Sequence, residues 1–114
     1  MIFDIFRRNA NASYQNLDAA AFRDAVKADK NAVILDVRTP AEVAGGKIKG
    51  AKTINYSDPG FAQAIAQLDK NKSYYVYCRS GMRSAGACKA MAKQGFTSLY
   101  NLSGGILSWS YGLS

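Results

Sequence analysis

Apolar residues along this chain fall into short blocks with two different rhythms. From Leu17 to Lys27, the positions Leu17, Ala21, Phe22, Ala25 and Val26 recur at helical spacing, with Asp18 placed to cap a first turn. Ala32 to Val37, AVILDV, is a short and nearly all-apolar run, the pattern of a strand covered on both faces. Thr39-Pro40-Ala41-Glu42 has the form of a helix start with proline in its first turn. Gly45 to Ala51 reads as loop and Lys52 to Tyr56 as another strand. Asp58-Pro59 opens a helical stretch carrying Phe61, Ile65 and Leu68, and Ser73 to Cys78, SYYVYC, is the next strand. From Met82 to Gln94 the small and apolar residues Ala85, Cys88, Met91 and Ala92 share one helical face, and Gly95 ends it. Ser98 to Leu102 is a last strand, and GGILSWSYG after it reads as a short helix. Strands alternating with helices at these lengths predict an α/β fold in three layers, a mainly parallel central sheet with helices on both faces.

A length of 114 residues fits one domain. It divides here into an N-terminal arm over 1–12 and a single domain over 13–114. In the arm, Asp4 interrupts the apolar residues Ile2, Phe3, Ile5 and Phe6, and Arg7-Arg8 follow them. A secretory signal has the reverse order, and no apolar run approaches the ~20 residues that span a bilayer, so no membrane span is expected.

The net charge of +7 raises three prospects, namely nucleic acid, an acidic membrane surface or a small anionic substrate. The cations are scattered and form no long run, so nucleic acid is not an expected partner. Only Arg79 and Arg83 stand beside a reactive group. The chain has no histidine, which excludes Cys-His and Ser-His catalytic pairs. Its two cysteines, Cys78 and Cys88, do not form a Cys-x-x-Cys pair, and without histidine they make no ordinary zinc site. No metal and no cofactor are expected. Both cysteines read as reduced thiols of a cytoplasmic protein.

Candidate chemistry gathers in one place, the segment CRSGMRS from Cys78 to Ser84. The thiol stands where a strand ends and the backbone must turn. Gly81 lets successive amide N–H groups converge, and the helix that follows aims its positive end at the same point. Arg79 and Arg83 can add charge-assisted hydrogen bonds. The expected product is an anion-binding cup with sulfur at its base, in which the thiol pKa falls to roughly 3.5–7.5. Cys88 lies on the apolar helical stripe and reads as core. In an open parallel sheet, ligands collect beyond the carboxyl ends of the strands, and Asp36 and Cys78 both end strands at that edge.

CRSGMRS resembles the active-site loop of rhodanese-domain sulfurtransferases. LDVRTPAEVAGGKIKGA resembles that family's Asp-Val-Arg segment with its following Glu and Gly-x-Ile-x-Gly-Ala. LSGGILSW resembles its Gly-Gly-x-x-x-Trp element. The three motifs stand in the family's order and, with Lys47 where the family often has histidine, cover about 17–112. The resemblance implies a rhodanese-like sheet of about five strands. It also implies that Cys78 takes sulfane sulfur from thiosulfate or a persulfide donor and passes it to cyanide or to a protein or low-molecular-weight thiol. Arg79, Ser80, Gly81, Met82 and Arg83 would then bind the donor anion, the two arginines at its sulfonate end. Asp36, Arg38, Glu42 and Ser84 would support the loop, Arg38 by pairing with Glu42. Gly104-Gly105 would form a turn and Trp109 would pack in the core.

Two other readings share these residues. A Cys-dependent phosphatase or arsenate reductase would also use a Cys…Arg oxyanion loop. Such enzymes place five residues between the two, against the four here, Arg79 to Met82. A sulfur-carrier or protein-interaction module would use the cup to serve a partner instead of cyanide.

Overall fold

A computed structural model describes residues 13–114, and the arm expected over 1–12 lies outside the described residues. Five strands form one sheet: β1 (Gln15–Leu17), β2 (Ala32–Asp36), β3 (Lys52–Thr53), β4 (Ser73–Tyr77) and β5 (Leu99–Leu102). Their order is β1-β5-β4-β2-β3, and every neighbouring pair is parallel. The helices are α1 (Ala19–Ala28), α2 (Pro40–Ala44), α3 (Phe61–Ala66) and α4 (Met82–Lys93), and a single 3-10 turn, Ile106–Ser108, follows β5.

The alternation along β4 builds the layers, because successive side chains of a strand face opposite sides. Tyr74 and Val76 pack with Phe61 and Ile65 of α3 and with Ala87, Cys88 and Met91 of α4. Tyr75 and Tyr77 face the other side, against Phe22 of α1, Ile48 and Leu102. There Phe22 meets the edges of Tyr75 and Trp109 at centroid distances of 5.7 and 5.9 Å. Trp109 is thus partly buried core, as its motif implies. This is the three-layer α/β fold that the periodicity predicts. No helix of the described residues is long and apolar enough to cross a membrane.

Three local expectations change. Leu17 is not helical. It pairs with Leu102 as the last residue of edge strand β1, and α1 starts only after Asp18, whose carboxylate accepts from Ala21 N at 2.9 Å. A strand of three residues is too short to show a period of two, so its one apolar residue merged with the helical rhythm behind it. Asp58-Pro59 forms a turn that delays α3 to Phe61, with Asp58 Oδ1 accepting from Gly60 N at 2.7 Å. The strand expected over 52–56 is regular only through Thr53, although Ile54 N and Tyr56 N still bond to Asp36 O and Val37 O at 2.9 and 3.0 Å.

All five strands point their carboxyl ends the same way. Asp36 is in register with Tyr77, so Cys78 emerges beside the end of β2.

Candidate active site

Cys78 follows the last residue of β4, and four residues later α4 begins. Gly81 makes the turn with φ +104°, in the left-handed region where a Cβ is strained, and any Cβ there would lie 2.3 Å from Ser103 O. The turn aims donors at the sulfur. Gly81 N donates to Cys78 Sγ at 3.1 Å and Ser84 N at 3.4 Å, with Ser84 Oγ also 3.4 Å away.

Cys78 is only 1% exposed, deeper than a loop position implies, and its neighbours include the apolar cluster over α3 and α4. Burial pushes its thiol up, but the hydrogen bonds the sulfur receives, with the amides of Ser84, Gly81 and Ser80 among their donors, outweigh burial and leave it below the ordinary thiol value. Cys88 shows what burial does without donors, since its thiol is pushed up to about 12.

The segment after β5 clamps the loop from outside. Ile106 N donates to Cys78 O at 2.9 Å and Leu107 N to Arg79 O at 3.2 Å. Gly105, at φ +64°, comes so close that a Cβ would lie 2.1 Å from Arg79 O. The Gly-Gly turn therefore touches the backbone of the thiol loop itself.

A second set of contacts braces the loop through α2. Asp36 is fully buried and its carboxylate holds Arg38 through Nε and Nη2, the latter at 2.7 Å, while accepting from Tyr77 Oη at 2.6 Å. Arg38 then reaches the backbone carbonyls of Gly46 at 2.7 Å and Glu42 at 3.3 Å. The expected pairing of Arg38 with Glu42 is corrected here. Arg38 is satisfied by Asp36, and the Glu42 carboxylate takes Arg83 in a two-pronged pair at 2.7 and 2.9 Å. The Arg83 hydrogen bonds, with those from Thr39, hold Glu42 down at about 2 despite partial burial. Arg83 is therefore tied to α2 through Nη1 and Nη2.

Other residues singled out in the sequence divide by exposure. Arg79 and Ser80 are exposed, and Arg79 makes no ion pair among the described residues. Met82 is 82% exposed. Ser84 is fully buried. Lys47 donates to Ala51 O at 2.9 Å and closes its own loop.

One buried residue at the site escaped sequence reasoning. Asn101 of β5 accepts from Ser84 Oγ at 2.5 Å and donates to Gly81 O at 3.2 Å and Asn16 Oδ1 at 2.9 Å. Its signal was available, as a carboxamide inside the otherwise apolar strand of a covered parallel sheet.

A model of the rhodanese-like domain family matches residues 18–111. YtwF of Bacillus subtilis, provisionally named a sulfurtransferase, is 38% identical over 83% of this chain and 89% of its own length. A protein of Allochromatium vinosum named sulfurtransferase is 31% identical over 82% of this chain and 86% of its own. The crystal structure of a rhodanese-like domain protein from Staphylococcus aureus superimposes with a TM-score of 0.77 at 29% identity, covering 88% of this chain and 96% of that one. With its fold, the loop behind Cys78 and these matches in agreement, the chain belongs to the rhodanese-like domain family.

Proposed function

We propose that this protein is a sulfurtransferase that carries sulfane sulfur as a persulfide on Cys78. One observation carries the reading. Backbone N–H groups of Gly81 and Ser84 converge on the Cys78 sulfur at the start of α4, in a chain with no histidine to activate it. Such a sulfur is activated by fixed dipoles instead of by a base.

The reaction balances without a cofactor. The Cys78 thiolate attacks the outer sulfur of thiosulfate, a new S–S bond forms, the donor's S–S bond breaks, and sulfite leaves with the electron pair. The outer sulfur now bears the negative charge and faces the loop amides. A nucleophile, cyanide or a thiolate, attacks that sulfur, and the Cys78 thiolate departs with the electron pair of the bond. Arg79 and the loop from Ser80 to Met82 receive the donor anion. Arg83 keeps α4 against α2 through Glu42. The pair with Glu42 uses two of the five N–H groups of Arg83 and holds its charge near the loop, where it supports Arg79 at the donor's sulfonate end.

Four residues between Cys78 and Arg83 make a cup tighter than a phosphate-cleaving loop of five, which favours sulfur over a phosphoryl group. For the acceptor, the exposure of Met82 (82%) and Leu107 (64%) favours a thiol-bearing peptide or protein over cyanide. Leu107 is hydrogen-bonded to the loop at Arg79, so both apolar side chains border the same loop.

Intact-mass spectrometry tests the reading. Thiosulfate should add about 32 Da, one sulfur. Cys78→Ser should abolish the gain and Cys88→Ser should preserve it. An adduct that follows Cys88, or faster turnover of an aryl phosphate than of thiosulfate, would overturn the proposal.

A further inference from the structure

The hydrogen bonds around Asn101 determine where one proton lies. The Gly81 carbonyl can only accept, so the nitrogen of the Asn101 amide faces it, at 3.2 Å. That nitrogen also donates to Asn16 Oδ1. The amide oxygen is left facing Ser84 Oγ at 2.5 Å. An amide oxygen can only accept, so the proton in this bond belongs to the serine. A hydroxyl has one proton. Ser84 Oγ therefore presents only lone pairs to Cys78 Sγ at 3.4 Å. That contact suits a thiol donating its S–H and does not suit a thiolate.

We propose that Asn101 is a positioning residue that holds the Ser84 hydroxyl proton away from Cys78, so that the site favours a sulfur-loaded cysteine over the bare thiolate. The functional half rests on the persulfide chemistry proposed above; the direction of the Ser84 bond does not.

The preference follows from where charge resides. In the bare thiolate the full charge is on Sγ, which then has the N–H groups of Gly81 and Ser84 as donors but lone pairs on its Ser84 Oγ side. In the persulfide Sγ is bonded to carbon and to sulfur, and the charge has moved to the outer atom. Sγ then needs no proton from Ser84, and the short bond to Asn101 remains intact. Discharge returns the S–S electron pair to Sγ and recreates the unfavourable contact. Loading is thereby favoured and release is slowed, as suits a protein that holds sulfur until an acceptor docks.

The charged groups about the sulfur are Arg83 on α4 paired with Glu42 on α2, Asp36 paired with Arg38 beyond β2, and exposed Arg79, while Lys89 of α4 and Tyr14 line the cleft that Gly81 and Asn101 share. Among the described residues, none of these charged side chains hydrogen-bonds to the side chain of Asn101 or Ser84, so variants at these two positions leave those pairs in place.

The test is the pH profile of Cys78 alkylation by iodoacetamide, with the adduct located by peptide mass, in the full chain and in Ser84→Ala, Asn101→Ala and the double variant. Asn101→Ala frees the hydroxyl to donate to sulfur. It should lower the Cys78 pKa by about one unit, and discharge of the persulfide to N-acetylcysteine should accelerate about tenfold. Adding Ser84→Ala should cancel both effects. Ser84→Ala alone should leave the pKa unchanged or lower it. If Ser84→Ala alone raises the pKa by about a unit, the hydroxyl was already donating to sulfur and the proposal is wrong. Ser84→Ala removes one oxygen and decides this point even if Asn101→Ala does not fold. If no variant gains sulfur from thiosulfate, the persulfide reading fails, while the alkylation profile still reports the direction of the Ser84 bond.

Discussion

Glu42 shows how much one side chain can bind together. Its Oε1 accepts from Thr39 N and Thr39 Oγ1, both at 3.1 Å, closing a capping box at the start of α2. The same carboxylate grips Arg83 in the first turn of α4. Its pKa of about 2 lies below the ordinary 4.5, so its contribution is complete above the ordinary value and is lost as pH falls toward about 2. Both partners are about a quarter exposed, so the pair is worth about 1 kcal/mol. Glu42→Gln should therefore melt a few degrees below the parent at pH 7. That gap should close in melts taken progressively down to pH 2. A gap that persists at low pH would place the effect in packing and not in the ion pair.

At the scale of elements, the site is made by two loops that touch backbone to backbone. The Cys78–Gly81 turn and the Gly104–Gly105 turn leave no space for a Cβ between Gly105 and Arg79 O. Gly105→Ala must push them apart, and displacing a catalytic loop by about 1 Å costs roughly a hundredfold in rate. Sulfur loading from thiosulfate should fall by that order while circular dichroism keeps the α/β signature. Normal loading in Gly105→Ala would show that the clamp does not set the geometry. The Asn16–Asn101–Ser84 contacts belong to the same scale, because they join β1, β5 and α4 under the loop.

Across the whole molecule, charge distribution matters more than its sum. The net charge is +7, yet Arg38 and Arg83 near the site are neutralised by Asp36 and Glu42. The remaining field attracts a small anion mainly at long range, where salt screens it over about 8–10 Å. Loading by the thiosulfate dianion should slow several-fold as ionic strength rises from about 20 to about 300 mM, because the Debye length shrinks through the size of the site. A rate independent of salt, in stopped-flow or mass-quench experiments, would remove steering from the account.

Local rhythm determined most of the architecture. Helical spacing marked the buried faces of α1 and α3 and half that of α4, where Cys88 and Met91 are buried with Ser84 and Ala87 while Ala85 and Ala92 are only partly so. Apolar runs marked β2, β4 and β5, and the order Cys78, Gly81, α4 foretold amides turned toward sulfur. These features depend on residues close together in sequence, where backbone geometry leaves few alternatives. The strand β1, the partner of Glu42, the burial of Cys78 and the role of Asn101 depend on contacts 41, 17 or 85 residues apart. Only the folded sheet decides those. A carboxylate or an amide takes whichever partner packing brings within 3 Å, and no local pattern encodes which one arrives.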